Sequence, residues 1–121
     1  EFLFPTLISQ LTGNQIRVKD LLPRRDYVYL TDVVDAFVRA LDAPRGFHQI
    51  NVGSGRSHSV SEIVAALQTV AGTDLPVVSD AAPREHEIVD VRADIALARE
   101  ILGWQPAIDL ASGIRDLLKK E

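Results

Sequence analysis

The stretch LLPRRDYVYLTDVV, residues 21–34, carries the strongest signals for fold and function in this chain of 121 residues. Arg24, Arg25 and Asp26 stand directly before residues 27–30, whose types favour a β-strand. Charged side chains are rarely buried without a partner. The arginines at the start of this strand therefore need either neighbouring acids or an anionic ligand.

Five helices are predicted from apolar spacing and from residues that start and stop helices. The first has Pro5 in its first turn and ends at Gly13. The clearest start is the capping box of Ser59 and Glu62, which precedes an apolar stripe that ends at Gly72. These two helices bracket the opening stretch in the sequence.

The other three helices begin at acidic or hydroxyl residues, which can accept hydrogen bonds from the free N–H groups of a first turn. Thr31 or Asp32 is expected to cap the helix after the opening stretch, Asp94 the fourth helix and Asp109 the fifth. Gly103 is expected to end the fourth helix. The apolar positions of the second helix are Val33, Val34, Phe37, Val38 and Leu41.

Short apolar or alternating runs between the helices predict four strands, at 15–18, 27–30, 48–52 and 75–78. Strands separated by single helices favour parallel pairing, but a complete doubly wound sheet would need more of them. The sequence therefore predicts one small α/β domain over residues 1–121, with short strands and about five helices.

Composition excludes several classes of protein. Apolar residues make up 46% and charged residues 25%, which is ordinary for a folded globular chain. The net charge of −4 gives a nucleic-acid partner no electrostatic support. No apolar run approaches the roughly 18 residues of a membrane span, and the absence of cysteine excludes disulfides and thiolate chemistry. A cytoplasmic location without nucleic-acid or membrane partners is expected.

The usual reacting groups of an enzyme are missing from these residues. His48, His58 and His86 are too far apart in sequence for a metal-binding pair, so no metal site is predicted. The glycines form neither Gly-x-Gly-x-x-Gly nor a Walker loop, and no serine stands in a nucleophile elbow. Gly53 and Gly55 have two open explanations, which are a tight turn or close approach to a ligand.

Two arginine-bearing loops remain as candidates for binding. One is the opening stretch with Arg25, and the other is PREHEIVDVRAD, residues 83–94, with Arg84. The planar guanidinium suits phosphate and carboxylate, which are often bound by loops on a rigid scaffold. The alternative is that both arginines form surface ion pairs with nearby acids, which contribute little to stability. The residues alone leave both explanations open.

Four motifs, taken together, resemble one family. They are RRDYVYLTDVVDAFVRAL, FHQINVGSGRSHSVSEIV, PREHEIVDVRADIALAREILGWQP and IDLASGIRDLL, in that order. Their order and spacing resemble the NAD-dependent nucleotide-sugar epimerases and dehydratases, which are extended short-chain dehydrogenases and include UDP-glucose 4-epimerase. The resemblance covers nearly the whole chain and is to the family's C-terminal, substrate-binding half. It implies the C-terminal part of an extended Rossmann-type enzyme.

The resemblance also implies what these residues lack. The family binds NAD in an N-terminal dinucleotide-binding domain that is absent from this chain, together with a Tyr-x-x-x-Lys pair. Tyr27 is followed four residues later by Thr31, and Tyr29 by Val33, so neither is that tyrosine. The resemblance therefore implies an isomerase or lyase in the full-length protein, with no catalytic, NAD-binding or metal-binding residue in this segment and no activity on its own.

Five residues match the family's substrate-binding positions. By resemblance, Arg25 contacts the diphosphate of the nucleotide sugar, and Arg84 is the second residue that clamps it. Glu87 matches the acid that accepts hydrogen bonds from the ribose hydroxyls. Ile16 and Val18 match the segment that lines the base. The implied ligand is a nucleotide-diphosphate sugar.

The second clamp departs from the family pattern, which commonly has Arg-x-Gly-Asp. Here the residues are Arg84-Glu-His-Glu87, so His86 stands at the glycine position. The imidazole adds bulk where the family's backbone often passes close to the ligand. Glutamate in place of aspartate also lengthens the side chain by a methylene, which affects the implied ribose contact most.

Other residues of the motifs are predicted to be structural. Trp104 is expected to be a packing residue, Asp26 to hold its loop in place, and Arg24 to be a solvated charge. The alternative function is a non-catalytic nucleotide-binding or protein-interaction domain of the same fold. A homo-oligomer is also expected, because a missing Rossmann half would leave apolar surface exposed.

Overall fold

The computed structural model describes residues 2–82 and 84–120. Within these residues the helices are α1 Leu3–Gln10, α2 Leu30–Ala40, α3 Val60–Ala71, α4 Ala96–Leu102 and α5 Leu110–Lys119. The strands are β1 Ile16–Val18, β2 Arg24–Arg25, β3 His58–Ser59 and β4 Val77–Ser79. The predicted small α/β domain with five helices and short strands is confirmed. None of the described helices has the length and apolar character needed to cross a membrane.

The strands form two separate pairs. β1 and β4 are parallel, with Ile16 opposite Val77, as the alternation of strands and helices predicted. β2 and β3 are antiparallel, with Arg24 opposite Ser59 and Arg25 opposite His58. The antiparallel pair joins the opening stretch to the start of α3.

Two of the predicted strands are wrong. Residues 27–29 are irregular and lead directly into α2, and residues 48–52 have no strand assignment. Ile50 and Val52 nevertheless pack against a buried apolar cluster. A strand requires a neighbouring strand for its backbone hydrogen bonds, and the described part of this chain provides none beside residues 48–52.

Local capping signals are confirmed at two helices. At α3, the Glu62 N–H donates to Ser59 Oγ (3.1 Å) and the Ser59 N–H donates to Glu62 Oε2 (2.8 Å), while Gly72 ends the helix with φ of 72°. At α5, the Ser112 N–H donates to Asp109 Oδ1 at 2.7 Å. These contacts span three residues or fewer from donor to acceptor, which is why the sequence shows them.

At α4 the predicted stop is confirmed, but Ile95 and not Asp94 occupies the N-cap position, without a side-chain cap. The Ala96 N–H donates to Asp94 Oδ1 at 3.0 Å, and the helix begins at Ala96. Gly103 ends it in the left-handed conformation, with φ of 59°. In contrast, α1 ends at Gln10, before the predicted stop at Gly13.

The predicted cap of α2 is wrong. The helix begins before Thr31 and Asp32, and Tyr29 occupies the N-cap position. The Asp32 side chain is buried, and its carboxylate accepts hydrogen bonds from the N–H groups of Ala107 and Ile108, both at 3.0 Å. A distant loop therefore uses the carboxylate that the sequence pattern assigned to the helix start.

Two apolar clusters form the core of the described residues. The larger one comprises Leu7, Ile16, Val18, Ile63, Val64, Leu67 and Ile114. The smaller one comprises Ala36, Ile95, Ala98 and Trp104. The indole of Trp104 is fully buried and its Nε1–H donates to the Asp32 carbonyl at 2.9 Å, which confirms Trp104 as a packing residue.

Most of the apolar face of α2 points away from the domain. We call this face the α2 outer stripe; it comprises Leu30, Val34, Phe37, Val38 and Leu41, which are between 51% and 84% exposed. Their spacing places them on one side of a helix. Asp32 and Ala36, on the other side, are the buried residues of α2. The periodicity therefore identified an apolar face correctly, but this face has no partner within the described residues.

Candidate functional site

Asp26 organises the loops around the opening stretch. Its Oδ1 accepts hydrogen bonds from the Ser54 N–H (2.8 Å) and the Ser54 hydroxyl (2.6 Å). Its Oδ2 accepts from the N–H groups of Gly55 (3.0 Å) and Ala93 (3.1 Å). Burial alone would raise the pKa of the carboxyl, but these hydrogen bonds outweigh it and hold the pKa below its ordinary value. The prediction that Asp26 holds its loop in place is confirmed.

The glycine turn is shaped by the same carboxylate. A Cβ added at Gly53 would lie 2.6 Å from the Ala93 Cβ and 2.8 Å from Asp26 Oδ2, so only glycine fits there without movement. Gly55 has φ of 75°, in the left-handed region that favours glycine. Both observations support the structural explanation of this turn.

Arg24 is a structural residue, and its prediction as a solvated charge is wrong. Its Nη2 donates to the Ser57 carbonyl at 2.8 Å, and its Nε donates to the Ser57 hydroxyl at 3.2 Å. The same Nη2 lies 3.2 Å from Glu62 Oε2, in the capping box of α3. These contacts attach β2 to the start of α3 across a separation in sequence that no local pattern reveals.

Arg25 is held by the second arginine-bearing loop. Its Nη1 donates to the carbonyls of Ile88 (2.8 Å) and Arg24 (2.7 Å). Its Nη2 donates to Glu87 Oε1 at 3.0 Å, and the side chains of Arg25 and Glu87 are 34% and 20% exposed. The structure thus brings two of the predicted site residues into direct contact, as a half-buried ion pair.

Arg84 and Glu87 are carried by a tight turn. The Glu87 N–H donates to the Arg84 carbonyl at 3.3 Å, and His86 has φ of 60°. A non-glycine residue in this left-handed conformation costs roughly 1–2 kcal/mol. Glycine adopts this conformation without that cost, which explains the glycine of the family pattern. His86 adopts the same left-handed conformation and loses this amount of stability. Pro83, the first residue of this loop, lies outside the described residues.

A cavity of about 380 Å³ lies beside β1 and gathers most of the predicted site residues. Val18, Arg25, Arg84 and Glu87 line it. Ile16 does not: its side chain is fully buried in the larger apolar cluster. Four of the five predicted residues therefore share one cavity, and the fifth lies in the core.

The cavity also has charged lining residues that sequence reasoning missed. Arg17 Nη2 lies 2.8 Å from Asp80 Oδ1, which links β1 to the loop after β4. Lys19 and Asp20 line the same cavity. A side chain of β1 that points away from the core is signalled by strand alternation, because Arg17 lies between buried Ile16 and Val18.

Comparison with known proteins identifies the family. The model of the family described as GDP-mannose 4,6 dehydratase matches residues 4–117. The fold and this match define a member of the extended short-chain dehydrogenases. The chain belongs to the family of NAD-dependent nucleotide-sugar epimerases and dehydratases, which confirms the resemblance drawn from the motifs.

Individual relatives agree with this assignment. The UDP-glucose 4-epimerase of Mycolicibacterium smegmatis is 44% identical over 91 residues, which are 74% of this chain and 28% of that protein. The structure of UDP-glucose 4-epimerase from Thermotoga maritima with UDP-glucose has a TM-score of 0.84 and 28% identity, over 98% of this chain and 39% of that one.

A second solved structure is equally similar. UDP-glucose-4-epimerase from Stenotrophomonas maltophila, with bound NAD and formylated UDP-arabinopyranose, has a TM-score of 0.83 and 29% identity. It is matched over 98% of this chain and 39% of its own length. The chain therefore spans well under half the length of the relatives it matches.

Proposed function

We propose that this chain is the substrate-binding segment of an NAD-dependent nucleotide-sugar epimerase or dehydratase. In this proposal it holds the nucleoside diphosphate of the sugar in the cavity beside β1. The observation that carries the proposal is the convergence of Val18, Arg25, Arg84 and Glu87, from separate parts of the sequence, on that cavity. Family membership supplies the class of ligand.

The size and chemistry of the cavity suit such a ligand. Its volume of about 380 Å³ falls within the range typical of small-molecule sites. Arg25 and Arg84 offer guanidinium groups, which form charge-assisted and often bidentate hydrogen bonds to phosphate oxygens. Val18 offers apolar contact for a base, with Ile16 packed behind it. Glu87 is a candidate acceptor for ribose hydroxyls.

The residues of this chain do not fit an NAD site. The 121 residues contain neither Gly-x-Gly-x-x-Gly nor Tyr-x-x-x-Lys, so we place no step of hydride transfer on them. We propose that residues 1–121 form the C-terminal domain of the whole enzyme and that an N-terminal domain binds the dinucleotide. The role of this chain is then to hold the diphosphate so that the sugar is correctly oriented for reaction.

The whole protein is proposed to be an isomerase of the UDP-glucose 4-epimerase type. The relatives named UDP-glucose 4-epimerase support epimerisation, whereas the matching family model is described as a dehydratase. The alternative function is a non-catalytic nucleotide-binding or protein-interaction domain of the same fold, for which the exposed α2 outer stripe is a candidate interface. A dinucleotide fingerprint and Tyr-x-x-x-Lys in the same reading frame would support the enzyme, and their absence there would support the alternative.

Replacing Arg25 with alanine is expected to weaken the binding of UDP or GDP by the chain about tenfold or more. A hydrogen bond to a charged group contributes about 1.5–3 kcal/mol, and about 1.4 kcal/mol corresponds to a factor of ten. Isothermal titration calorimetry with both nucleotides measures the change. Arg45→Ala is the matched control, because Arg45 is exposed and does not line the cavity. Unchanged affinity in a folded Arg25→Ala variant would remove Arg25 from the site.

The isolated chain is expected to self-associate through the α2 outer stripe. Full burial of a side chain such as Phe37 or Leu41 contributes about 1.5–3 kcal/mol, so a second copy that covers the stripe is favoured. Sedimentation velocity at increasing concentration should show a dimer. The double variant F37S/L41S should shift the equilibrium to monomer, whereas Leu97→Ser, on the exposed side of α4, should not. A monomer at the highest concentration would argue against this interface.

A further inference from the structure

We propose that Glu87 acts on the phosphates through Arg25, as a positioning residue that holds the guanidinium in the orientation that binds the diphosphate. The resemblance assigns Glu87 only a contact with ribose. This inference rests on the proposed function and extends it to how the clamp is prepared for its ligand. The contacts of Arg25 carry the argument.

The hydrogen bonds of Arg25 use one part of its guanidinium and leave another available. A guanidinium has five N–H donors. Both donors of Nη1 are used, by the carbonyls of Ile88 and Arg24, and one donor of Nη2 is used by Glu87 Oε1. Among the described residues, the other Nη2 donor and the Nε donor have no acceptor. Nε and Nη2 are therefore the nitrogens left to donate to phosphate oxygens.

The two halves of the ion pair are also partly shielded from water. With side-chain exposures of 34% for Arg25 and 20% for Glu87, the pair is more enclosed than a surface ion pair such as that of Arg17 and Asp80, at 62% and 40%. An enclosed pair restricts the rotamers of the arginine before the ligand arrives. Restriction in the free protein lowers the entropy lost on binding.

The contact between Arg25 and Glu87 also helps to position Arg84, the second clamping residue. The turn that contains Glu87 also contains Arg84, through the hydrogen bond from the Glu87 N–H to the Arg84 carbonyl. The turn is docked on β2 by Arg25 and by the hydrogen bond from the Arg24 N–H to the Val89 carbonyl, at 2.8 Å. Glu87 therefore connects the first phosphate-binding arginine to the loop that presents the second.

The effect of removing Glu87 on the affinity for pyrophosphate, which has no ribose, separates the positioning role from the alternatives. A carboxylate near a bound diphosphate repels it, so removing Glu87 would tighten the binding of inorganic pyrophosphate if charge alone mattered. A residue that contacts only ribose would leave pyrophosphate binding unchanged. A residue that positions Arg25 would weaken pyrophosphate and nucleoside diphosphate alike.

The test uses calorimetric titration of the whole 121-residue chain with pyrophosphate, UDP and GDP. Glu87→Ala is expected to weaken pyrophosphate roughly three- to tenfold, which is the range for immobilising one flexible side chain, and to weaken the nucleotide by at least this factor, because the proposed ribose contact is lost as well. Glu87→Gln should recover most of this loss, because its amide oxygen can still accept from Nη2. In the Arg25→Ala background, Glu87→Ala should not weaken pyrophosphate binding any further.

Each other outcome has a distinct meaning. Tighter or unchanged pyrophosphate binding in Glu87→Ala, with the unaltered chain binding nucleotide, would overturn the positioning role and leave the proposed function standing. The positioning role would also be overturned if Glu87→Ala weakened pyrophosphate binding equally in the natural chain and in the Arg25→Ala chain. If the unaltered chain bound none of the three ligands, the proposed function would fail, and this inference with it. Thermal unfolding of each variant verifies that it is folded.

Discussion

Replacing Trp104 with alanine is expected to destabilise the chain by about 3–5 kcal/mol. The indole is fully buried and packs in the smaller apolar cluster with Ala36, Ile95 and Ala98. Its removal leaves a large cavity in this cluster, which the remaining side chains can fill only in part. The loss also includes the hydrogen bond from Nε1 to the carbonyl of Asp32.

The measurement is equilibrium unfolding in urea, followed by far-ultraviolet circular dichroism. Fluorescence is unsuitable, because Trp104 is the single tryptophan of the chain. Trp104→Phe is the matched control: it retains most of the apolar contact but lacks the N–H donor, so it should cost less than half as much as alanine. A loss below about 1 kcal/mol for Trp104→Ala would show that the smaller cluster contributes little to stability.

Replacing Asp26 with asparagine is expected to destabilise the chain by about 2–4 kcal/mol, because the neutral amide cannot replace the carboxylate. The two oxygens of Asp26 accept four hydrogen bonds, from Ser54, Gly55 and Ala93. An asparagine side chain has one acceptor oxygen and an amino group that donates. The amide oxygen can keep the two donors on one side, but the amino group would then face the two donors on the other side, which would lose their acceptor.

The pH dependence of this effect follows from the lowered pKa of Asp26. A depressed pKa in the folded state means that the carboxylate contributes its full stabilisation above its ordinary value of 3.8. As the pH falls below 3.8 and through the lowered value, the contribution is lost. The difference in unfolding free energy between the natural chain and Asp26→Asn should therefore be largest near neutral pH and shrink in acid.

Urea unfolding at several pH values measures both the size and the pH dependence of this effect. Asp42→Asn is the control, because Asp42 is exposed and its carboxylate makes no hydrogen bond among the described residues. An unchanged urea midpoint for Asp26→Asn would contradict the role of Asp26 in holding its loops in place. Asp26 directly follows Arg25 and holds the loops at Ser54 and Ala93 in place. The variant should therefore also weaken nucleotide binding.

The sequence by itself was sufficient for most of the helices. The capping box at Ser59 and the stop at Gly72 bound α3 as predicted, and Asp109 caps α5. These signals are readable because a cap and its N–H partner lie within one turn of each other. The motifs also named Arg25 and Glu87 as candidates for the site, without any indication that they touch each other.

Tertiary structure alone decided which apolar face is covered, which strands form and how the charges pair. The α2 outer stripe has the period of a buried helix face, yet it is exposed, because burial depends on a neighbouring surface and not on periodicity. Residues 48–52 have strand-forming types but no neighbour to pair with in the described chain. Arg24 and Asp26 hold loops that are remote in sequence, and Glu87 holds Arg25. Such contacts join residues about 30 to 70 positions apart, and short sequence patterns record only interactions within a few residues.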